Sequence, residues 1–505
     1  MNFTSQSEKE RPQNFFGGRI WIFVLGLLFV ACLAISNQSF WIDEASTASK
    51  AQQTTFHNWW HEMFQNKGSD LQMPLYMFWT WVCEKFVGSS EIALRAANLF
   101  WFVPGFVALL CSLARRPPLQ LSVFFVGTFS PFAWYYLDEA RPYAMQMGTA
   151  LLLFAVLCHW SEKPFSLPKT EPLWLWGFVI ALFALSGASL LGMIWAGAAI
   201  VAAIFLLPKE RLLQLTRDYI FVWLVAFVSL LALGFYYLWT LHTGGRASDA
   251  ATTGWKNVAF TGYELLGLAG LGPGRLEIRD GGLQAFKPYA LELGLFTALI
   301  FILLSSGLLY LLQNCSRKKI FSLTFVTASP AVFILAAGFI LHFRVLGRHF
   351  APLFPVVVFL LALGVTNLWR RHTIARIVVL VFFAFCFASC LSLRFAERHA
   401  RDDYRSAAML GKIALGRGEL VWWNADKQGA LVYHLPVTNE PQITNAAFLI
   451  ANPDKEFARN LPKPDLVLVS KPDIYDNHNV LHNYLIQNNY HVERTLSAFT
   501  VWRKK

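Results

Sequence analysis

Charge is what this sequence has least of. Only 15% of its 505 residues are Asp, Glu, Lys or Arg, against about a quarter in soluble globular domains. The scarcity is uneven. Over residues 15–393, apolar segments alternate with short charged or Pro/Gly-bearing loops, which excludes an ordinary soluble domain there. Cysteine is missing from the tail: the seven Cys end at Cys390, so residues 394–505 carry no disulfide framework. None of the seven stands as an outward nucleophile beside a His, which argues against a cysteine-dependent protease or transpeptidase. No small-residue cleavage pattern follows the first apolar run, so that run reads as an anchor and not as a removable signal. The basic residues are scattered over many loops and do not line one face, which excludes nucleic-acid binding.

What is present is apolar length: 55% of the chain is hydrophobic. Stretches 15–36, 94–114, 119–136, 142–160, 171–186, 189–207, 219–241, 289–312, 321–342, 350–369 and 373–393 are each near the ~20 residues that cross a bilayer. Ser186-Gly187-Ala188-Ser189 supplies a tight turn between two of them. Residues 74–88 are aromatic, short, and carry Glu84 and Lys85, so they are expected to lie flat in the interface. With that assignment Arg115-Arg116, the Lys209/Arg211/Arg217 loop, Arg317-Lys318-Lys319 and Arg370-Arg371 all fall on the cytoplasmic side, as the positive-inside bias requires. The expected architecture is a polytopic α-helical membrane protein of about eleven spans, with the N-terminus inside. It comprises a membrane domain, 1–393, with a first outer loop at about 37–94, and a small extracytoplasmic α/β domain, 394–505. In the latter, 420–423 and 466–469 read as buried strands, 402–415 and 479–488 as helices, and 492–502 as a hairpin. The net charge of +12 fits the basic inner loops and equally an anionic substrate.

The first outer loop contains His57-Asn58-Trp59-Trp60-His61, a pattern suited to an amphipathic helix at a membrane surface. His57 and His61 share a helical face, yet no third ligand has a defined spacing, so interfacial polarity explains them better than a metal. The second long loop, 242–287, holds Gly267-Leu268-Ala269-Gly270-Leu271-Gly272-Pro273-Gly274-Arg275. No strand precedes it and Pro273 interrupts it, which disfavours a dinucleotide cradle and favours a loop over the substrate.

Three outward constellations carry chemistry. Asp43-Glu44 follows the first span; a carboxylate there can take a proton from an attacking hydroxyl or amine, hold a divalent cation, or simply cap the next helix. Asp138-Glu139-Ala140-Arg141-Pro142-Tyr143 packs three charges between two apolar stretches, either as a local ion pair or as a second acidic group with Arg141 free for a phosphate oxygen. His342-Phe343-Arg344-Val345-Leu346-Gly347-Arg348-His349 places arginines outside against the positive-inside trend, for lipid headgroups or for a bidentate phosphate contact. All three loops are expected on one side of the membrane, which favours a common site.

Trp41-Ile42-Asp43-Glu44-Ala45, Gln72-Met73-Pro74-Leu75-Tyr76 leading to Arg95, Asp138-Glu139-Ala140-Arg141-Pro142-Tyr143 and Arg348-His349-Phe350-Ala351-Pro352 together resemble the GT-C superfamily of membrane glycosyltransferases. The nearest branch resembles the protein O-mannosyltransferases and the aminoarabinose transferases of lipid A; Arg401-Asp402-Asp403-Tyr404-Arg405 is similar to the start of the extracytoplasmic domain in some bacterial members. The resemblance implies an inverting glycosyltransferase of the bacterial inner membrane. It would move a sugar from a polyprenyl-phosphate donor to an extracytoplasmic glycan, lipid or protein acceptor. It implies catalytic Asp43, Glu44, Asp138 and Glu139, and donor-phosphate contacts from Arg141, Arg348, His349, Lys85 and Tyr143. Branch members differ in metal dependence, so a divalent cation is left open and no cofactor is assigned. The rival class is a transporter or flippase of a lipid-linked glycan; it would show internal symmetry and charges within the bundle, and neither is seen.

Overall fold

A computed structural model describes residues 19–65, 68–162, 171–243, 253–440, 445–454, 457 and 461–504. The membrane part opens with α1 (Arg19–Ala34), a bare segment 35–41, and three short helices, α2 (Ile42–Ala51), α3 (Phe56–Gln65) and α4 (Pro74–Val87). The bundle continues with α5 (Glu91–Ala96), α6 (Leu99–Ser112), α7 (Pro117–Thr128), α8 (Pro131–Leu137) and α9 (Tyr143–Glu162). Next come α10 (Glu171–Ala188), α11 (Leu190–Leu206), α12 (Lys209–Asp218) and α13 (Ile220–His242). The second loop folds into α14 (Trp255–Leu265) and α15 (Arg275–Gly281), and the bundle closes with α16 (Ala290–Asn314), α17 (Arg317–Ile340), α18 (Phe354–Trp369) and α19 (Thr373–Phe395).

Among the described residues, eight helices are long and apolar enough to cross a membrane: Glu91–Ser112, Tyr143–Ser161, Glu171–Ala188, Ile220–His242, Arg275–Asn314, Arg317–Ile340, Gly347–Trp369 and Thr373–Phe395. They match eight of the eleven expected stretches. The other three differ, each for a local reason. In α1 the described helix has 16 residues, about 24 Å at 1.5 Å per residue; residues 15–18 lie outside the described residues. The 119–136 stretch breaks at Ser130, because Pro131 drives the residue before it out of helical geometry. The 189–207 stretch forms α11 and then turns by 119° into α12 at Pro208. The expected turn at residues 186–189 is present: Ser189 is extended and its hydroxyl accepts from the Gly192 N–H at 2.9 Å.

α13, α16 and α17 carry many of the exposed large apolar side chains, among them Phe221, Phe227, Phe235, Phe301 and Phe333. Such a surface is stable against lipid and not against water. The inner layer is α6, α9, α10 and α18. α6 and α9 cross closely because both are glycine there. A Cβ on Gly105 would sit 1.9 Å from the Gly148 carbonyl oxygen, and one on Gly148 2.2 Å from that of Trp101. Small residues let backbones approach where no hydrophobic effect drives helix association.

The C-terminal unit opens with α20 (Tyr404–Gly416) and forms one six-stranded sheet of β1 (Val421–Asn424), β2 (Val437–Thr438), β3 (Ala447–Leu449), β4 (Leu466–Ser470), β5 (Tyr490–Leu496) and β6 (Phe499–Lys504). The order is β2-β3-β1-β4-β6-β5, parallel through β4 and antiparallel beyond it. Every residue of β1 and β4 is buried, as befits central parallel strands covered on both faces. The edge strand β5 exposes His491, Glu493 and Arg494, charges that discourage pairing with another chain. The two short strands β2 and β3 are additional to those expected from the sequence.

Gly148→Ala is expected to force α6 and α9 apart and destabilise the protein by about 1–3 kcal/mol. Thermal unfolding of the purified protein in detergent measures it.

Candidate active site

The bare segment 35–41 ends at the N-terminus of α2, which brings Asp43 and Glu44 into the first helical turn. Glu44 is fully buried. Arg95, from the last turn of α5, donates to both its oxygens, at 2.9 Å to Oε1 and 2.8 Å to Oε2. The Ala140 N–H adds a bond to Oε1 at 2.7 Å. The rest of the Arg95 guanidinium is spent on the carbonyl oxygens of Ser36, Gln38 and Ser39. Asp138 accepts from the Ser36 N–H and, at 2.9 Å, from the Ser36 hydroxyl. These bonds join three loops far apart in sequence at one end of the bundle.

A second set surrounds Arg141. Its Nη1 donates to Asp70 Oδ1 at 2.8 Å, to the Thr47 hydroxyl at 2.9 Å and to the Asp43 carbonyl at 3.2 Å. Asp70 also takes Lys50 at 2.8 Å and the Ser46 hydroxyl at 2.7 Å. Arg348, at the head of the Gly347–Trp369 span, reaches Asp43 Oδ2 at 3.0 Å and lies over the Tyr143 ring at 5.5 Å. Glu139 is fully buried, 3.4 Å from Arg401 and 3.8 Å from Arg275, and its Oε2 has no hydrogen-bond partner among the described residues. Arg275 also lies 3.6 Å from Glu264 and stacks over Tyr135 at 4.6 Å and Trp41 at 5.3 Å. A cavity of about 80 Å³ opens here, its lining including Trp41, Tyr135, Asp138, Arg275, His399 and Arg401.

The acids differ sharply in access. The Asp43 side chain is 31% exposed and Asp138 13%, whereas those of Glu44 and Glu139 are 0%. Burial raises the pKa of the Asp43 carboxyl, but the charges of Arg348 and Arg141 outweigh it and hold the group below its ordinary value. Burial likewise raises Glu44 and Asp70, and the cations beside them, Arg95 with Arg401 and Arg141 with Lys50, bring both down. Glu264 goes the other way: burial outweighs the pull of Arg275 and Arg348, and its pKa is raised. Burial lowers the pKa of Arg344, and the charges of Arg348 and Arg275 lower it further against the opposing pull of Glu264.

The structure thus brings Asp43, Glu44, Asp138, Glu139, Arg141, Tyr143 and Arg348 together. It corrects three expectations. Lys85 is elsewhere: it bonds Glu84 and the carbonyls of Gln53 and Ala51 and lies over Trp81. Ala51 is eight residues beyond Asp43 on α2, about 12 Å along the helix axis. Glu44 is enclosed by its ion pair and has no face open to a substrate. His349 turns Nδ1 to the Leu346 N–H at 3.2 Å, a bond that caps the turn carrying Arg348. Pro74–Val87 has 14 residues, about 21 Å, too short for a ~30 Å hydrocarbon core. The meeting of the Asp43 and Asp138 loops at one end of the bundle agrees with its not crossing. In the second loop, residues 244–252 lie outside the described residues; the rest forms α14, α15 and short 3-10 turns. Gly187 packs directly against Leu75, which a Cβ would approach to 2.7 Å. His61 pairs with Gln65 at 2.7 Å, and among the described residues no three His, Cys, Asp or Glu side chains are arranged for a metal ion.

Asp70, Lys50, Glu264, Arg275 and Arg401 belong to the cluster and have no spacing that marks them as site residues. Arg401 pairs with Glu139 across 262 positions; no local pattern records such a contact.

Glu44→Gln removes the carboxylate that pairs with Arg95 at two oxygens and leaves Arg95 only Asp138, at 3.8 Å, as an ion-pair partner among the described residues; it is expected to destabilise the fold by about 3–5 kcal/mol, read as a fall in melting temperature. Glu44, Asp70 and Asp43 have depressed folded-state pKa values, so their contribution to stability is complete above the unfolded carboxylate pKa of about 4. It disappears as pH falls through the lower folded values. Melting temperature is therefore expected to be flat from about pH 5 to 8 and to drop below about pH 4, measured as a pH series in one detergent.

No protein-family profile matches the chain, and no curated protein matches its sequence. Solved structures do. ArnT from Cupriavidus metallidurans in the apo state aligns with a TM-score of 0.53 at 12% identity, covering 96% of this chain and 97% of that one. The same protein bound to undecaprenyl phosphate aligns with a TM-score of 0.50 at 12% identity, covering 96% and 98%. The similarity runs through the bundle and the C-terminal unit alike, and the chain has the fold of the GT-C membrane glycosyltransferases.

Proposed function

We propose that the protein is an inverting glycosyltransferase that moves a sugar from a polyprenyl-phosphate donor to an acceptor hydroxyl or amine outside the cytoplasm. The observation that carries this is the Asp43–Arg348 pair: the most exposed carboxylate of the cluster, 3.0 Å from a guanidinium. The fold likeness to a protein bound to undecaprenyl phosphate supports a lipid-borne donor.

Asp43 is the base and Arg348 the phosphate ligand, and the two roles are coupled. While Arg348 faces Asp43, the carboxylate is ionised but weakly basic. A donor phosphate competes for Arg348, and as the cation shifts towards it, Asp43 becomes more basic, nearer to what proton abstraction needs. The acceptor oxygen or nitrogen then attacks the anomeric carbon from the face opposite the phosphate. Its proton passes to Asp43, the bond from anomeric carbon to phosphate oxygen breaks, and the departing phosphate is stabilised by Arg348 and Arg344. Tyr143 holds the Arg348 plane, and Arg141 fixes the α2 backbone at Asp43. Glu44 and Asp138 hold the loops; Glu139, with one oxygen unpartnered among the described residues, lies buried between Arg401 and Arg275. No step is assigned to a divalent cation.

The chemistry is assigned to residues 1–393, with 394–505 covering it. Arg115-Arg116, Arg317-Lys318-Lys319 and Arg370-Arg371 follow helices that start near the cluster, so they fall at the far end of the bundle. The positive-inside bias then supports an extracytoplasmic site in a bacterial inner membrane.

Purified protein incubated with synthetic polyprenyl-phosphate sugars and a panel of glycan, lipid and peptide acceptors tests this. Asp43→Asn is expected to lower transfer about 10²–10⁴-fold while the protein stays folded, with a smaller fall in melting temperature than Glu44→Gln; wild-type turnover in that variant removes Asp43 as base. Arg348→Ala is expected to raise the donor KM about 10- to 100-fold, the loss of a charge-assisted bond, with little effect on the acceptor KM. Equal donor affinity refutes the phosphate role.

A further inference from the structure

The segment that delivers Asp43 has no regular structure of its own: residues 35–41 lie between α1 and α2 without helix or strand. Backbone groups in such a segment must be satisfied from outside it. Arg95 does so from the bundle side, taking the carbonyls of Ser36, Gln38 and Ser39. The C-terminal unit and the strand of chain leading into it grip four consecutive residues from the other side. Arg405 Nη2 donates to the Asn37 carbonyl at 2.7 Å. The Arg401 N–H donates to Gln38 Oε1 at 2.9 Å. The Arg405 N–H donates to the Ser39 hydroxyl at 3.0 Å. The Tyr433 hydroxyl accepts from the Phe40 N–H at 2.7 Å and donates to Glu91 Oε1 at 2.6 Å. Glu91 also takes Arg405 Nε at 3.1 Å, so the grip is anchored on α5, the helix that carries Arg95.

We infer that the C-terminal unit, which contributes no group to the chemistry, is the device that positions Asp43, with Arg405 and Tyr433 as its positioning residues. This rests on the assignment of Asp43 as base. The geometry gives it content beyond domain docking. Docking needs contacts anywhere on the interface, and the Arg279–Asp473 ion pair is one that touches no part of 36–45. The bonds from Arg401, Arg405 and Tyr433 fall on successive residues of the one stretch whose backbone path sets where α2 begins. α2 starts at Ile42, so a displacement of residues 37–40 moves Asp43 relative to Arg348, and a base misplaced by about 1 Å loses rate out of proportion.

Backbone amide hydrogen exchange of the full-length protein in lipid nanodiscs tests the inference without any substrate. Tyr433→Phe removes one hydroxyl, and Arg405→Gln removes the charge. Both are expected to accelerate exchange in peptides covering 36–45 about tenfold, the equivalent of one hydrogen bond. Peptides from Tyr143–Glu162 should be unaffected. Asp473→Asn, which breaks a docking contact elsewhere, should leave 36–45 at the wild-type rate. In the transfer assay Tyr433→Phe and Arg405→Gln should lower kcat with the donor KM unchanged, and Arg405→Lys should recover part of it. Wild-type exchange in both variants overturns the inference, as does equal acceleration by Asp473→Asn. Loosening of 36–45 in a protein whose wild type transfers no sugar upholds the grip on the segment and overturns the assignment of Asp43 instead.

Discussion

The Glu44–Arg95 pair is the constraint on which the rest of the site depends. Both side chains have zero exposure, and neither could be buried alone: an unpaired charge in such a place costs several kcal/mol. The pair stands because each remaining polar atom is also used. Glu44 takes the Ala140 N–H, and Arg95 takes three carbonyls of the segment before α2. The turn after α1, the end of α5 and the turn before α9 are therefore fixed to one another by charge. In a membrane bundle, where lipid is as apolar as leucine, hydrophobic burial alone would leave those loops free to choose their relative positions.

With the loops fixed, the division of labour among the carboxylates follows from access. Six acids, Asp43, Glu44, Asp70, Asp138, Glu139 and Glu264, crowd one end of the bundle, and arginines and a lysine neutralise them unequally. Glu44 is fully matched and closed off. Asp138 is held by Ser36, and Asp70 by Lys50 and Arg141. Asp43 alone combines an open face with a single guanidinium partner that is itself partly open. A reactive carboxylate needs that combination: ionised by a neighbour, yet able to lose the neighbour to an incoming anion.

The helical architecture was legible because a bilayer crossing leaves a long apolar signature that needs no knowledge of partners. Where a helix stops short of its apolar run, proline is the cause: Pro131 interrupts a stretch that hydropathy sees as continuous. The tail was legible for the same kind of reason. β1 and β4 are buried on both faces, and a short unbroken apolar run between polar turns is the pattern such strands leave. Strands β2 and β3, of two and three residues, are too short to leave a pattern. Asp43 and Arg348 stood out through their place at span ends. Lys85, a phosphate contact only by what the resemblance implies, lies apart from the cluster, bonded to Glu84 and the carbonyls of Gln53 and Ala51.

The sequence by itself determined that this is a polytopic membrane protein with a small α/β unit at its end, and which charged stretches sit at the ends of its spans. Both are properties of local composition, set by the solvent each segment must meet. Only the tertiary structure decided which acid is matched and which is open, that Arg275, Glu264 and Arg401 join the cluster, and that the tail holds the segment leading to Asp43. Those are pairings between residues hundreds of positions apart, fixed by the need to neutralise buried charge and satisfy buried backbone, and no local stretch of sequence carries them.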